Sequence, residues 1–235
     1  MNTWTIHQKI QAYCANNNMT DPHVSEYSWL RCYRHFHRSA SEALALDRDH
    51  AALHLGFYLA SWGMFRRSFL RWHSYTVHLG VIDQLVAPRF SALWKQEFGI
   101  GDNDSSPAPL ILDAIKAVRE AYGHFASQAG ASDTLVTKVL FATFGCLPAC
   151  DTYFRAGFRN CGFRYSCPDA AFVDGIFRFC KDHLAELRQE QTWIETEFAV
   201  RYPLMKIVDM CFWQTGWDQL QSKGGSGIGD KKQKL

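Results

Sequence analysis

Apolar residues recur along this 235-residue chain at the three- and four-residue spacing that lays them on one side of a helix, and no stretch alternates long enough to predict a strand. TWTIHQKIQAYCA (3–15) is the first such segment, ended by the turn formers of NNNMTDP and by Pro22. HVSEYSWLRCYRHFHRSASEALAL (23–46) predicts a long helix with Ser25 as its N-cap. DRDHAALHLGFYLASWGMFRRSFLRW (47–72) starts acidic and ends basic, a polarity that suits the helix dipole. SYTVHLGVIDQLVAPRF (74–90) leads into SALWKQEFGI (91–100). GIGDNDSSPAP (99–109) is the clearest internal break, after which LILDAIKAVREAYGHFASQ (110–128) resumes the helical period. DAAFVDGIFRFCKDHLAELRQEQ (169–191) and WIETEFAVRYPLMKIVDMCFWQTGW (193–217) predict two or three further helices. The expectation is an all-α protein of about eight to ten helices. Residues 1–222 form its globular domain, with a lobe break near 99–109 and a cleft between two packed lobes, and 223–235 form a flexible basic tail.

Composition changes this picture little: 47% hydrophobic and 20% charged residues are ordinary for a folded chain. The most apolar run, LHLGFYLASWGMF (53–65), is shorter than the roughly 20 residues that span a bilayer. No N-terminal stretch joins a basic region to an apolar core and a small-residue cleavage site. A cytoplasmic protein without membrane contact is expected. Charge is more informative. The net +2 resides in the tail, where Lys223, Lys231, Lys232 and Lys234 face only Asp230, and residues 1–220 carry 21 basic and 22 acidic side chains. A general basic field is absent, so nucleic-acid binding would rest on local clusters. Three exist: Arg31/Arg34/Arg38, Arg66/Arg67/Arg71 and Arg155/Arg159/Arg164. Each reads equally as the solvated face of a helix. Cys146, Cys150, Cys161 and Cys167 fall within 22 residues, but their C-x3-C and C-x5-C spacings lack the C-x2-C knuckle usual for zinc. Reduced, mostly buried thiols are expected, with no metal and no cofactor.

Candidate chemistry concentrates in GASDTLVTKVLFATFGCLPACDTYF (130–154). Lys138 lies on an apolar helix, Phe144-Gly145 and Pro148 form a connector, and Asp151-Thr152 opens the next helix. Asp is a favoured N-cap, so the residue types alone make Asp151 a cap. The stretch also resembles the core signature of helix-hairpin-helix DNA glycosylases, in which a Lys-bearing helix, a Gly- and Pro-containing connector and a helix-opening Asp follow a hairpin. Two features depart from that pattern. The hairpin Gly-x-Gly is reduced to a lone Gly130, and the 13-residue Lys138-to-Asp151 spacing is about one helical turn short. The resemblance implies excision of a modified or damaged base from DNA after base flipping, with no protein partner required; roles in anti-phage defence occur among bacterial enzymes of this kind. It also implies a carboxylate, Asp151, that stabilises the oxocarbenium-like sugar as the base leaves. Lys138 would be an amine nucleophile, or else an ammonium that pairs with a carboxylate or reaches solvent.

HAALHLGFYLASWGMFRRS (50–68) offers a substrate wall. His54, Tyr58 and Trp62 recur every four residues, Gly56 and Gly63 suggest close packing or a kink, and Arg66, Arg67 and Ser68 follow where a phosphate would lie. A buried aromatic seam is the alternative. Tyr27 joins the same candidate cleft, and Arg155 and Arg159 are further candidates for the DNA backbone. A rival enzyme reading is REAYGH (119–124), whose R-x4-H resembles the motif of HEPN ribonucleases and would set Arg119 and His124 on one helix. A non-catalytic helical binding protein is the third class.

Overall fold

The computed structural model describes residues 5–19, 21–41, 46–66, 68–95, 97–100, 106–126 and 130–224. Their regular structure is all helical, with no strand among the described residues. The α-helices are α1 (Ile6–Asn16), α2 (Ser25–Ser41), α3 (Arg48–Ser61), α4 (Leu79–Leu85), α5 (Ala108–Tyr122), α6 (Asp133–Thr143), α7 (Thr152–Asn160), α8 (Ala170–Asp182), α9 (Leu184–Phe198) and α10 (Leu204–Gly224). Short 3-10 helices cover Phe69–Trp72, Tyr75–His78 and Pro88–Trp94. No helix among the described residues is long and apolar enough to cross a membrane. Helix α10 continues through Lys223 and Gly224, and the rest of the expected tail lies outside the described residues.

The all-α expectation holds, with one difference of extent. The 47–72 segment is not one helix, because α3 stops at Ser61. Gly63 takes φ +71° and donates to the Ala60 carbonyl at 2.9 Å, while Met64 N–H reaches Leu59 O at 2.9 Å. That pair of bonds is a Schellman stop, which needs a residue tolerant of the left-handed region. Gly56 has the other role anticipated for it. A Cβ there would come within 3.2 Å of the His78 ring, so its small size lets the 75–78 turn approach α3.

Helix α10 is the hub, packed against α7, α1 and α9, while α2, α3 and α6 form a second cluster and α4, α5 and α8 a third. One hydrophobic cluster contains buried side chains from all ten helices, on both sides of the 99–109 break. Contact between α7 and α10 is closest. A methyl on Gly157 would overlap the Phe212 carbonyl oxygen, and one on Gly216 would overlap the Tyr153 carbonyl oxygen. Two glycines, one per helix, therefore set the distance between these backbones. This matters because α7 begins at Asp151 and α10 carries two charged residues that reach the same region.

Candidate functional site

Ser132 caps α6, its hydroxyl accepting from Leu135 N–H at 3.2 Å, and Lys138 follows in the second turn. The helix ends at Phe144 and Gly145 (φ +66°), where any side chain would strike Tyr33. The connector 146–150 is buried, so its backbone polar groups need partners. Cys150 N–H donates to Thr137 Oγ1 at 2.9 Å, and Cys150 O accepts from Thr134 Oγ1 at 3.0 Å. Ala149 N–H donates to Asp209 Oδ1 at 2.9 Å. Two helices thus grip the two residues that precede Asp151.

Asp151 is the N-cap of α7, its Oδ1 accepting from Phe154 N–H at 3.0 Å. Its other oxygen lies 3.8 Å from Lys138 Nζ. The Lys138 side chain is 4% exposed and that of Asp151 19%, so the pair is largely shielded from water with one edge open. Lys138 Nζ also sits 4.5 Å from the Trp62 ring centroid, and the Trp62 indole N–H donates to Ser25 O at 3.2 Å. A carboxylate, an ammonium and an aromatic face from α7, α6 and the end of α3 therefore meet. Asp151 is both a cap and a carboxylate directed at a partner, because the two oxygens do separate work.

Behind this group lies a set of buried charges. Lys206, fully buried on α10, has its Nζ 2.7 Å from Glu26 Oε2, 3.9 Å from Asp209 Oδ2 and 3.4 Å from Tyr13 Oη. The Tyr13 hydroxyl donates to Glu26. Four rings surround the ammonium, those of Trp29, Tyr13, Phe141 and Trp62, at 5.0 to 5.9 Å. Burial pushes the Asp209 carboxyl up to about 7; the nearby Asp151 adds to that shift, while Lys206, Lys138 and the Ala149 amide oppose it. Tyr58 is held well above the usual phenol range, chiefly by burial and then by Asp209. The geometry links α1, α2 and α10 through Asp209 to the connector, and through the connector to Asp151.

The predicted residues divide into four groups. Asp151, Lys138 and Trp62 come together, with Tyr58 buried close enough to feel the Asp151 and Asp209 charges. At 1% exposure Tyr58 presents no face to an incoming base. Arg155 belongs near the same end of α7, its Nε donating to Asp151 O at 3.2 Å, and both Arg155 and Arg159 lie within 6 Å of the Tyr165 ring. Tyr27 and His54 line a surface groove between α2 and α3 rather than the Asp151 site. Arg66 is exposed, Ser68 is occupied in capping Phe69–Trp72, and Arg67 lies outside the described residues.

Arg119 is engaged structurally, bonded to the Asp133 carboxylate and, at 2.9 Å, to Ala131 O. Helix α5 ends at Tyr122, so His124 lies past it and not on the same helical face as Arg119. Among the cysteines, Cys146 and Cys150 are buried, Cys161 is half-buried and Cys167 is exposed; burial raises the Cys146 thiol to about 12. No group of three or more metal-ligating side chains occurs among the described residues.

Sequence reasoning missed Glu26, Lys206 and Asp209. For the last two a signal existed. LMKIVDMCF (204–212) carries two charges, three residues apart, in an otherwise apolar run, and that spacing puts both on one buried helix face. Nothing distinguished Glu26 from an ordinary first-turn acid. Comparison of the chain with family models, with characterised proteins and with solved structures finds no match.

Proposed function

We propose that this chain is a DNA glycosylase that excises a modified or damaged base, with Asp151 as the catalytic carboxylate. The observation that carries the reading is the divided role of Asp151. One oxygen anchors it to the first turn of a helix, and the other is turned toward a buried ammonium in a partly open site. Cleavage of an N-glycosidic bond sends the bonding pair away with the base and leaves positive charge on the sugar. A fixed carboxylate stabilises that charge, and it takes the proton of the water that adds at C1′. Lys138 holds the free oxygen of Asp151 in place, and the backbone guanidiniums are Arg155 and Arg159.

Asp151→Asn is the informative variant because Asn is as good an N-cap as Asp, so the helix start survives while the charge is lost. Incubation with duplex and single-stranded DNAs carrying different modified bases, scored for abasic sites, should show a rate about 100- to 1,000-fold lower for this variant. Base release at the wild-type rate would sink the assignment. Borohydride trapping tests Lys138 separately: a covalent adduct makes it a nucleophile, and no adduct leaves it the electrostatic partner.

A further inference from the structure

Helices α2 and α3 pack against each other and leave an open groove of about 770 Å³ on their outer side, a size in the range of about 300 to 1,000 Å³ typical of ligand sites. Its walls carry His23, Tyr27, Arg31, Leu53, His54 and Phe57. Two observations set this groove apart from an ordinary surface hollow. Phe57 is 69% exposed and Leu53 45%, although hydrophobic burial would favour hiding both. Among the described residues no carboxylate lines the groove, whereas one guanidinium and two imidazoles do. An aromatic surface bearing the Arg31 guanidinium suits an aromatic anion.

The wall is also stiffened from behind. His35 stacks on His54, with ring centroids 4.3 Å apart and planes 21° apart. Burial, then His50 and Arg31, lowers the His54 pKa, which keeps its ring a neutral flat face near pH 7. At one end the groove reaches Ser25 and Ser61. Trp62 follows Ser61, bonds to the Ser25 carbonyl and covers Lys138. The groove thus ends one side chain away from the Lys138–Asp151 pair.

We propose that this groove binds one or two unpaired nucleotides of a single-stranded DNA segment, bases against Phe57, Tyr27 and His54 and a phosphate on Arg31. That these nucleotides flank the one whose base is released rests on the function proposed above; the binding itself does not. Base–aromatic stacking tolerates any sequence, and each neutralised phosphate contributes to the salt dependence of affinity.

The test is fluorescence anisotropy of a labelled ten-residue oligo-dT with the full chain, across a salt series. Phe57→Ala changes an exposed side chain and should weaken binding about tenfold at every salt concentration. Arg31→Gln should weaken it and lower the log–log salt slope by about 0.7. The readout is binding of an oligonucleotide and needs no base release, so a failure of the catalytic reading and a failure of the groove are distinguishable. Wild-type affinity in both groove variants overturns the proposal. So does a Phe57→Ala change that leaves DNA binding intact and alters only self-association in sedimentation, since the groove would then be a protein-docking face.

Discussion

Removing the Lys206 ammonium tests the reading of the buried charges most directly. Lys206→Met keeps the apolar stem, so it preserves the packing against Trp29, Phe141 and Trp62 and deletes the charge alone. Among the described residues, Glu26 then keeps the Tyr13 hydroxyl and Asp209 the Ala149 amide as hydrogen-bond donors. Two acidic side chains with almost no exposure lose their cation. Breaking a buried pair by removing one partner costs about 3–5 kcal/mol, because the other charge stays desolvated. At roughly 2–4 °C per kcal/mol for a chain of this size, the melting temperature should fall by about 6–20 °C. Thermal and urea unfolding followed by circular dichroism measures both quantities. The double variant Glu26→Gln, Lys206→Met removes both charges and should recover most of the loss, since a neutral buried pair carries little desolvation penalty. A single variant costing less than about 1 kcal/mol, or a double variant less stable than the single, would refute this account.

Three further outcomes are expected. Gly157→Ala or Gly216→Ala should be among the most damaging single changes in the chain, costing about 3 kcal/mol or more because backbone atoms of the facing helix cannot move aside; soluble yield and urea midpoint report it. Thr137→Val removes the acceptor of the buried Cys150 N–H and should cost about 1–3 kcal/mol in urea unfolding. Asp209 gives the pH dependence. Its folded carboxyl is raised to about 7, whereas an unfolded Asp ionises near ~3.9, so the folded chain keeps the proton longer. Stability from this group is complete below the unfolded value and is lost as pH rises toward about 7. The stability difference between the wild type and Asp209→Asn, from urea unfolding at pH 4 to 8, should show that decline; the neutral histidines His35 and His78 act with the opposite sign and cancel in the difference.

Much of the fold was legible because helices are written locally. The three-to-four-residue apolar period needs only neighbours along the chain, and so does an N-cap such as Asp151. The end of α3 was harder to read. Nothing in the local pattern stops the apolar period at Ser61, and Gly63 becomes a stop only once the chain takes up a left-handed turn there. The candidate site was half legible. Asp151 and Lys138 lie 13 residues apart in a recognisable stretch, and Trp62 was picked out as an aromatic at helical spacing. That Trp62 covers Lys138 while His54, eight residues earlier, faces an outer groove depends on where α3 ends and what it packs against.

By itself, the sequence determined the helical class and the carboxylate at the opening of α7, since each follows from local periodicity and backbone capping. Only the tertiary structure decided which charges are buried and which side chains meet. Glu26, Lys206 and Asp209 are separated by up to 183 residues from one another, yet they share one desolvated site with Tyr13. A charge is costly only where water is excluded, and that exclusion arises when α1, α2, α6 and α10 close around it. No local pattern records which helices will do so.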